Sequence, residues 1–230
     1  MKKKIVFLTG AGVSAESGIS TFRDSDGLWE NYNVMDVCSA AGFRRNPALV
    51  HEFYNARRRQ LSEVEPNEAH RAIARLMDYY DVFVVTQNVD NLHERGGVPS
   101  DRIIHLHGEL MKVRAVNDES KVYELQSELS ETTTETLIDG HHVRPHIVFF
   151  QEAVPMLEPA AEIVARADVL VIIGTSLVVY PAAGLVNYAR RDARIFYIDP
   201  HPAAVPSRVH VIAATATDGM NILMDELHDL

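Results

Sequence analysis

The stretch Ile5-Val6-Phe7-Leu8-Thr9-Gly10-Ala11-Gly12-Val13-Ser14-Ala15-Glu16-Ser17-Gly18 sets the reading of the whole chain. Its first four residues are apolar without alternation, as in a strand buried on both faces of a parallel sheet. The strand runs straight into a Gly-x-Gly turn, with another glycine six residues on. Glycines there let backbone approach a phosphate closely, and a following helix turns N–H groups toward it. The usual spacing is Gly-x-Gly-x-x-Gly. This variant, taken alone, also fits an ordinary strand-to-helix turn.

Three more runs, at 82–85, 169–173 and 195–198, share the character of the first, and 209–213 is a weaker fifth. Helical periodicity lies between them. Ala69, Ile73 and Leu76 share one face of 67–77, and 160–167, 182–189 and 221–230 also read as helices. Strands alternating with helices predict an α/β, doubly wound parallel sheet. Residues 26–62 are helix-rich with no strand between, and 109–143 are polar. Both are expected to be insertions forming a smaller domain or flap. The second, third and fourth strands end in Thr86-Gln87-Asn88-Val89-Asp90, Gly174-Thr175-Ser176 and Asp199-Pro200. Ligands of open α/β sheets bind beyond such carboxyl ends, so a nucleotide cleft is expected at that edge.

A formal net charge of −10 disfavours nucleic acid and anionic membrane, and mildly favours cationic partners such as lysine-rich segments. The single cysteine, Cys38, allows no intrachain disulfide and no thiolate pair, which suits a reducing cytoplasm. It reads as small apolar filler. Lys2-Lys3-Lys4 precedes only four apolar residues, too few for a signal peptide. No run approaches a membrane span. A cytoplasmic monomer is expected.

The joint pattern resembles the sirtuin family. The segments that carry it are the glycine turn through Ile19 with Thr21-Phe22-Arg23, then Gln87-Asn88-Val89-Asp90 and His105-Leu106-His107-Gly108. Arg144-Pro145-His146 and Gly174-Thr175-Ser176-Leu177 with Tyr180-Pro181-Ala182 follow in order. The resemblance implies a Rossmann-like domain, a smaller inserted domain, and a cleft that binds NAD and an acylated-lysine protein substrate. Nicotinamide leaves and the acyl group passes to ADP-ribose. The implied boundaries are 1–25, 63–108 and 145–230 for the NAD-binding domain, and 26–62 and 109–144 for the inserted one.

By that resemblance His107 is the base that deprotonates a ribose hydroxyl, a task that suits a histidine. Otherwise it would read as a structural histidine. His105 would share its strand face, so a metal-binding pair is the competing use, although no third ligand is evident nearby in sequence. Asn88 and Asp90 look like the pair that orders ribose and carboxamide. Gly10, Ala11, Gly12, Ala15, Glu16, Gln87, Gly174, Thr175, Ser176, Asp199 and Ala216 are the remaining implied NAD contacts, with Phe22 and Arg23 on a closing loop. The family usually has Asn where Asp199 stands.

Tyr54 and Arg57 lie three apart on a helical stretch and share a face. In the resembling desuccinylase and demalonylase subgroup, a Tyr-x-x-Arg pair holds the distal carboxylate of succinyl or malonyl. Because Arg57, Arg58 and Arg59 are contiguous, a solvated basic face is the alternative. Val148 and Phe149 would line the substrate. Two departures stand out. Ala115, Asp118, Thr136 and Asp139 fall where most sirtuins place four zinc-binding cysteines, so no such metal is expected. Phe149-Phe150-Gln151-Glu152 has Gln where the family usually has Gly. Competing functions are an NAD glycohydrolase or ADP-ribosyltransferase, and a non-catalytic NAD or ADP-ribose sensor.

Overall fold

The computed structural model describes residues 2–19, 28–29 and 32–228. In chain order the strands are β1 (Lys4–Thr9), β2 (Leu28–Trp29), β3 (Tyr32–Asn33), β4 (Asp81–Thr86), β5 (Ile103–His105), β6 (Gly108–Ala115), β7 (Val122–Glu124), β8 (Leu137–Ile138), β9 (His141–Ile147), β10 (Val169–Ile173), β11 (Arg194–Ile198) and β12 (Val209–Ile212). The α-helices are α1 (Gly12–Ala15), α2 (Val34–Val37), α3 (Ala40–Arg45), α4 (Pro47–Ser62), α5 (Glu68–Arg75), α6 (Leu92–Arg95), α7 (Leu157–Val164) and α8 (Ala216–His228).

Six strands form one parallel sheet in the order β12-β11-β10-β1-β4-β5. Ile5 and Phe7 of the central β1 face α5 and α8, against Ile73, Leu223 and Leu227. Val6 and Leu8 face the other way, against Ala160 and Val164 of α7 and Leu185. Burial on both faces is why the run does not alternate. Each such side chain contributes roughly 1.5–3 kcal/mol over exposure. The doubly wound sheet is therefore as expected, with one more strand, β5, which is too short to leave a pattern. Residues 182–189 fold as a 3₁₀ helix, Ala182–Tyr188, instead of an α-helix. Pro181 before it and Gly184 within it both weaken a regular α-turn.

The regions read as insertions contain strands the sequence did not reveal. β2 and β3 form a two-residue antiparallel pair, too short for a period-2 signal. Residues 109–143 supply most of a four-stranded antiparallel sheet, β7-β6-β9-β8. Asp139 and Gly140, with φ of 50° and 77°, make the two-residue turn between β8 and β9, the conformation that Asp-Gly favours. Val34, Val37, Val50, Phe53, Leu110 and Ile147 form a third core between this sheet and α2–α4. Among the described residues, no helix is long and apolar enough to cross a membrane.

A buried polar clamp ties the flap to α4. That helix starts cleanly, with Asn46 accepting from the Leu49 N–H at 3.1 Å and Pro47 in the first turn. Thr132 inserts beside it. The Asn55 amide donates to the Thr132 carbonyl at 2.9 Å and accepts from the Thr132 N–H at 3.0 Å, copying a strand rung. His51 Nδ1 meets Thr132 Oγ1 at 2.9 Å. Arg58, 0% exposed, donates to the carbonyls of Ser130 (3.1 Å) and Leu110 (3.4 Å), to Asn55 Oδ1 and to Thr132 Oγ1. Burial and the Arg58 charge push His51 down to about 4, so it stays neutral inside the clamp. An exposed Arg59–Glu131 pair adds a charge contact between α4 and the flap.

The clamp is tested by Arg58→Met, which strips donors from two buried carbonyls. At about 1–3 kcal/mol for each, urea denaturation should show a loss of roughly 2–4 kcal/mol. Arg59→Ala, which breaks only the exposed pair, should change stability by less than about 1 kcal/mol. Equal midpoints for the two variants would remove the clamp from this account.

Candidate active site

The carboxyl ends of β1, β4, β10 and β11 converge as expected, and glycine makes the convergence possible. The Gly10 N–H donates to the Ile173 carbonyl at 2.9 Å and the Gly12 N–H to the Gly174 carbonyl at 2.8 Å. A Cβ on Gly12 would lie 2.5 Å from Gly174 Cα. Gly174 itself has φ of +62°, where side chains are strained. The helix after the turn, α1, is a single turn. The N–H groups of Gly12, Val13 and Ser14 are all engaged within the fold. The turn therefore offers a ligand backbone proximity more than a row of free donors.

Ser14 joins the tips of β1 and β4, a role the sequence reading did not assign. Asn88 Nδ2 donates to Ser14 Oγ at 3.1 Å, and Ser14 Oγ donates to Asp90 Oδ2 at 3.1 Å. Asp90 Oδ1 accepts from the Leu92 N–H at 3.1 Å. Burial raises the Asp90 carboxyl above its ordinary 3.8, opposed by the Leu92 N–H, the Ser14 hydroxyl and the charge of His105. Gln87 Nε2 donates to Thr175 Oγ1 at 3.1 Å, linking the ends of β4 and β10.

His105 ends β5, and His107 lies just past it in the turn to β6. His107 Nδ1 is 3.0 Å from the Gln87 carbonyl and His105 Nδ1 is 3.0 Å from the Asn88 carbonyl. A carbonyl only accepts, so both Nδ1 atoms donate. His107 Nε2, left with its lone pair, makes no hydrogen bond among the described residues. Burial holds the His107 pKa below the ordinary 6.5, against the pull of the Gln87 carbonyl. His105 Nε2 instead sits 2.8 Å from Glu94 Oε1.

No third ligand is evident near His105 in sequence, but the fold brings two carboxylates to it. Glu94 of α6 and Glu109 of β6 both reach it, with donor atoms within 4.8 Å of one another. These contacts come from three separate elements and leave no local motif. They do not resemble a metal centre. Two ligands of a tetrahedral zinc stand about 3.3 Å apart, whereas the His105–Glu94 distance is that of a hydrogen bond. Lys112 Nζ already neutralises Glu109 at 2.9 Å.

Asp199 is buried after β11 and accepts from the His201 N–H at 2.8 Å. Ser176 is half-buried beyond β10 and Ala11 half-buried in the glycine turn, while Ala15 is exposed. Buried Ala216 opens α8. Glu16 reaches across to that helix start, accepting from the Thr217 N–H at 2.8 Å and the Thr215 hydroxyl at 3.1 Å. Phe22 and Arg23 lie outside the described residues.

Tyr54 and Arg57 are both buried on α4, as is Arg58, so a solvated basic face is excluded for two of the three arginines. The Tyr54 hydroxyl donates to Cys38 Sγ at 3.5 Å. Burial raises the Tyr54 phenol well above 10 and the Cys38 thiol to about 11, so both keep their protons at neutral pH. The Tyr54 ring centroid lies 6.1 Å from that of Phe149, which lies 5.9 Å from that of Phe43. The Arg144 guanidinium covers Phe149 at 4.0 Å. The Val148 N–H donates to the His107 carbonyl at 2.9 Å, joining this wall to the histidine turn. Glu152 fixes the wall by accepting from Arg144 (2.6 Å), Arg114 (3.1 Å) and the Phe149 N–H (2.9 Å). Gln151, where the family has glycine, takes φ of +78°, a region costly for a side chain.

The family profile described as "Sir2 family" matches residues 10–181. An NAD-dependent protein deacylase of Helicobacter pylori (strain ATCC 700392 / 26695) is 50% identical over 230 residues, spanning 99% of this chain and 99% of the relative. One of the same name from Bacteroides thetaiotaomicron is 51% identical over 227 residues, spanning 96% of each. A Sir2 homologue solved as an NAD complex is similar with a TM-score of 0.86 and 36% identity, covering 99% of this chain and 90% of that one. With glycine turn, β4 tip and histidine turn all falling inside the matched span, the chain belongs to the Sir2 family.

Proposed function

We propose that this chain is an NAD-dependent protein-lysine deacylase whose pocket favours short acidic acyl groups such as succinyl and malonyl and also accepts acetyl. One observation carries the reading: the Val148–His107 hydrogen bond joins the Tyr54–Phe149 wall to a histidine whose Nε2 is uncommitted. The deacylase part is supported by the names of close relatives. The acyl preference rests on Tyr54 and Arg57.

The residues fit NAD. Glycines 10, 12 and 174 bring strand ends to a spacing no side chain could share, and Thr175, Gln87, Asn88 and Asp90 surround them with donors and acceptors. We assign Gly10, Ala11, Gly12, Ala15, Gly174, Thr175 and Ser176 to the phosphates and the riboses. Gln87, Asn88 and Asp90, with Phe22 and Arg23, take the nicotinamide end. Asp199, Ala216 and Glu16 take the adenosine end. When bound, NAD supplies the anomeric carbon that loses nicotinamide and then carries the acyl group. His107 Nε2 takes the proton of a hydroxyl presented in the cleft, while the Nδ1 bond to Gln87 fixes the ring's tautomer and direction. Ser14 holds the Asn88 amide and the Asp90 carboxylate in fixed orientation. Arg57 grips a distal carboxylate through its guanidinium, and the protonated Tyr54 phenol adds a donor. We assign 1–25, 63–108 and 145–230 to the NAD-binding domain and 26–62 and 109–144 to the inserted one.

Arg57→Met should lower kcat/KM for a succinyl-lysine peptide by about tenfold to a hundredfold, the worth of about one charge-assisted bond. The acetyl-lysine value should change by less than about threefold on the same scale. Equal losses on both would refute the acyl assignment. For His107 the active form is neutral, so activity disappears as pH falls through its pKa. Burial places that pKa below 6.5. The acid limb of kcat/KM should therefore have its midpoint below pH 6.5; a midpoint above it contradicts His107 as base. The chain has one cysteine, so purified protein should carry no stoichiometric zinc and chelator should leave Tm unchanged. One zinc per chain overturns this.

A further inference from the structure

His105 is not used by the chemistry above, yet it is one of the most constrained side chains near the site. Its side chain is only 8% exposed. Nδ1 faces the Asn88 carbonyl at 3.0 Å and Nε2 faces Glu94 Oε1 at 2.8 Å. Neither a carbonyl nor a carboxylate donates. A neutral imidazole has one N–H and would turn a lone pair onto one of these acceptors. Two ring nitrogens meeting two acceptors require two protons.

We propose that His105 is a positioning residue held as an imidazolium, clamped between the Asn88 carbonyl and the Glu94 carboxylate, that fixes the β4 tip and keeps a positive charge beside Asp90. This rests on the assignment of Asn88 and Asp90 given above. Asn88 is thereby held from both ends. Its carbonyl is gripped by His105, and its side-chain amide reaches Ser14. Rotation of that peptide would move the amide away from Ser14, which bridges it to Asp90.

The groups facing His105 come from three elements. Glu94 and His93 lie on α6, Asn88 and Asp90 on the loop between β4 and α6, and Glu109 on β6, where Lys112 Nζ occupies it at 2.9 Å. Burial works against a charge on His105, but the Glu94 bond and charge, the Asn88 carbonyl and Glu109 outweigh it and lift the pKa above 6.5. Glu94 Oε2 is buried with no hydrogen-bond donor among the described residues, so His105 is its main counter-charge. The same charge pulls the Asp90 carboxyl down. The two histidines of one His-x-His turn thus hold opposite protonation states. His107 is neutral with a free Nε2, and His105 is cationic with both nitrogens used.

The test is a histidine ring titration by NMR on the intact protein, with kinetics on two variants. In the wild type, the His105 ring should titrate above pH 6.5 and the His107 ring below it. Glu94→Gln should move the His105 midpoint below 6.5. His105→Asn keeps a donor for the Asn88 carbonyl but removes the charge. It should lower kcat by about tenfold on acetyl and succinyl peptides alike, the scale of a bond to a charged group, and shift the acid limb of kcat/KM to higher pH, because activity needs Asp90 ionised as well as His107 neutral and Asp90 loses its cation. A purely structural His105 would lower activity without moving that limb. A His105 ring that titrates below pH 6.5 in the wild type overturns the proposal. So does an acid limb that stays in place in both variants. The ring titration needs no turnover, so it decides the protonation state even if the deacylase assignment fails.

Discussion

Two hydrogen bonds from imidazole Nδ1 atoms, His107 to the Gln87 carbonyl and His105 to the Asn88 carbonyl, fix the turn after β5 against the tip of β4. Consecutive carbonyls of an extended chain point to opposite sides, so gripping both leaves the peptide little freedom to rotate. Asn88 and Asp90 are then oriented by Ser14 from the β1 side, and Gln87 is tied to Thr175 from the β10 side. Three strand ends and one turn thereby become a single rigid floor. The parallel sheet supplies the rigidity beneath it, because β1 is paired on both edges and buried on both faces.

The second constraint is the clamp on α4. His51, Asn55 and Arg58 hold Thr132, while Tyr54 on the same helix turns toward Cys38 and Phe149. One helix therefore carries both the attachment of the flap and part of the Tyr54–Phe149 wall. A buried guanidinium is stable here because its hydrogen bonds end on backbone, amide and hydroxyl oxygens that would themselves be costly to leave unpaired. Four side chains thus satisfy one another where the flap meets α4.

The sheet was legible because its strands are buried on both faces, and such runs announce themselves as unbroken apolar stretches. The cleft was legible because polar and small residues follow each run. β5 was missed because three residues carry no pattern, and the flap sheet because β6 and β9 mix charged and imidazole side chains with apolar ones without clean alternation, while β7 and β8 are only three and two residues long. Glu94 and Glu109 could not be tied to His105 from sequence, since the contacts come from three elements brought together only by the fold. Ser14 lay inside the glycine motif, and its hydroxyl became meaningful once β4 was placed beside β1. Arg58 was masked by its neighbours: three contiguous arginines look alike until the helix shows two of them inside and Arg59 outside.

The account holds that the floor built by His107, Asn88 and Asp90 acts on NAD only in concert with an acylated lysine seated against Phe149. The most direct measurement is the stoichiometry of nicotinamide release with and without an acyl-lysine peptide. The account predicts one nicotinamide for each acyl group removed and negligible release when the peptide is left out. Release at the same rate without peptide would contradict it and make the chain an NAD glycohydrolase.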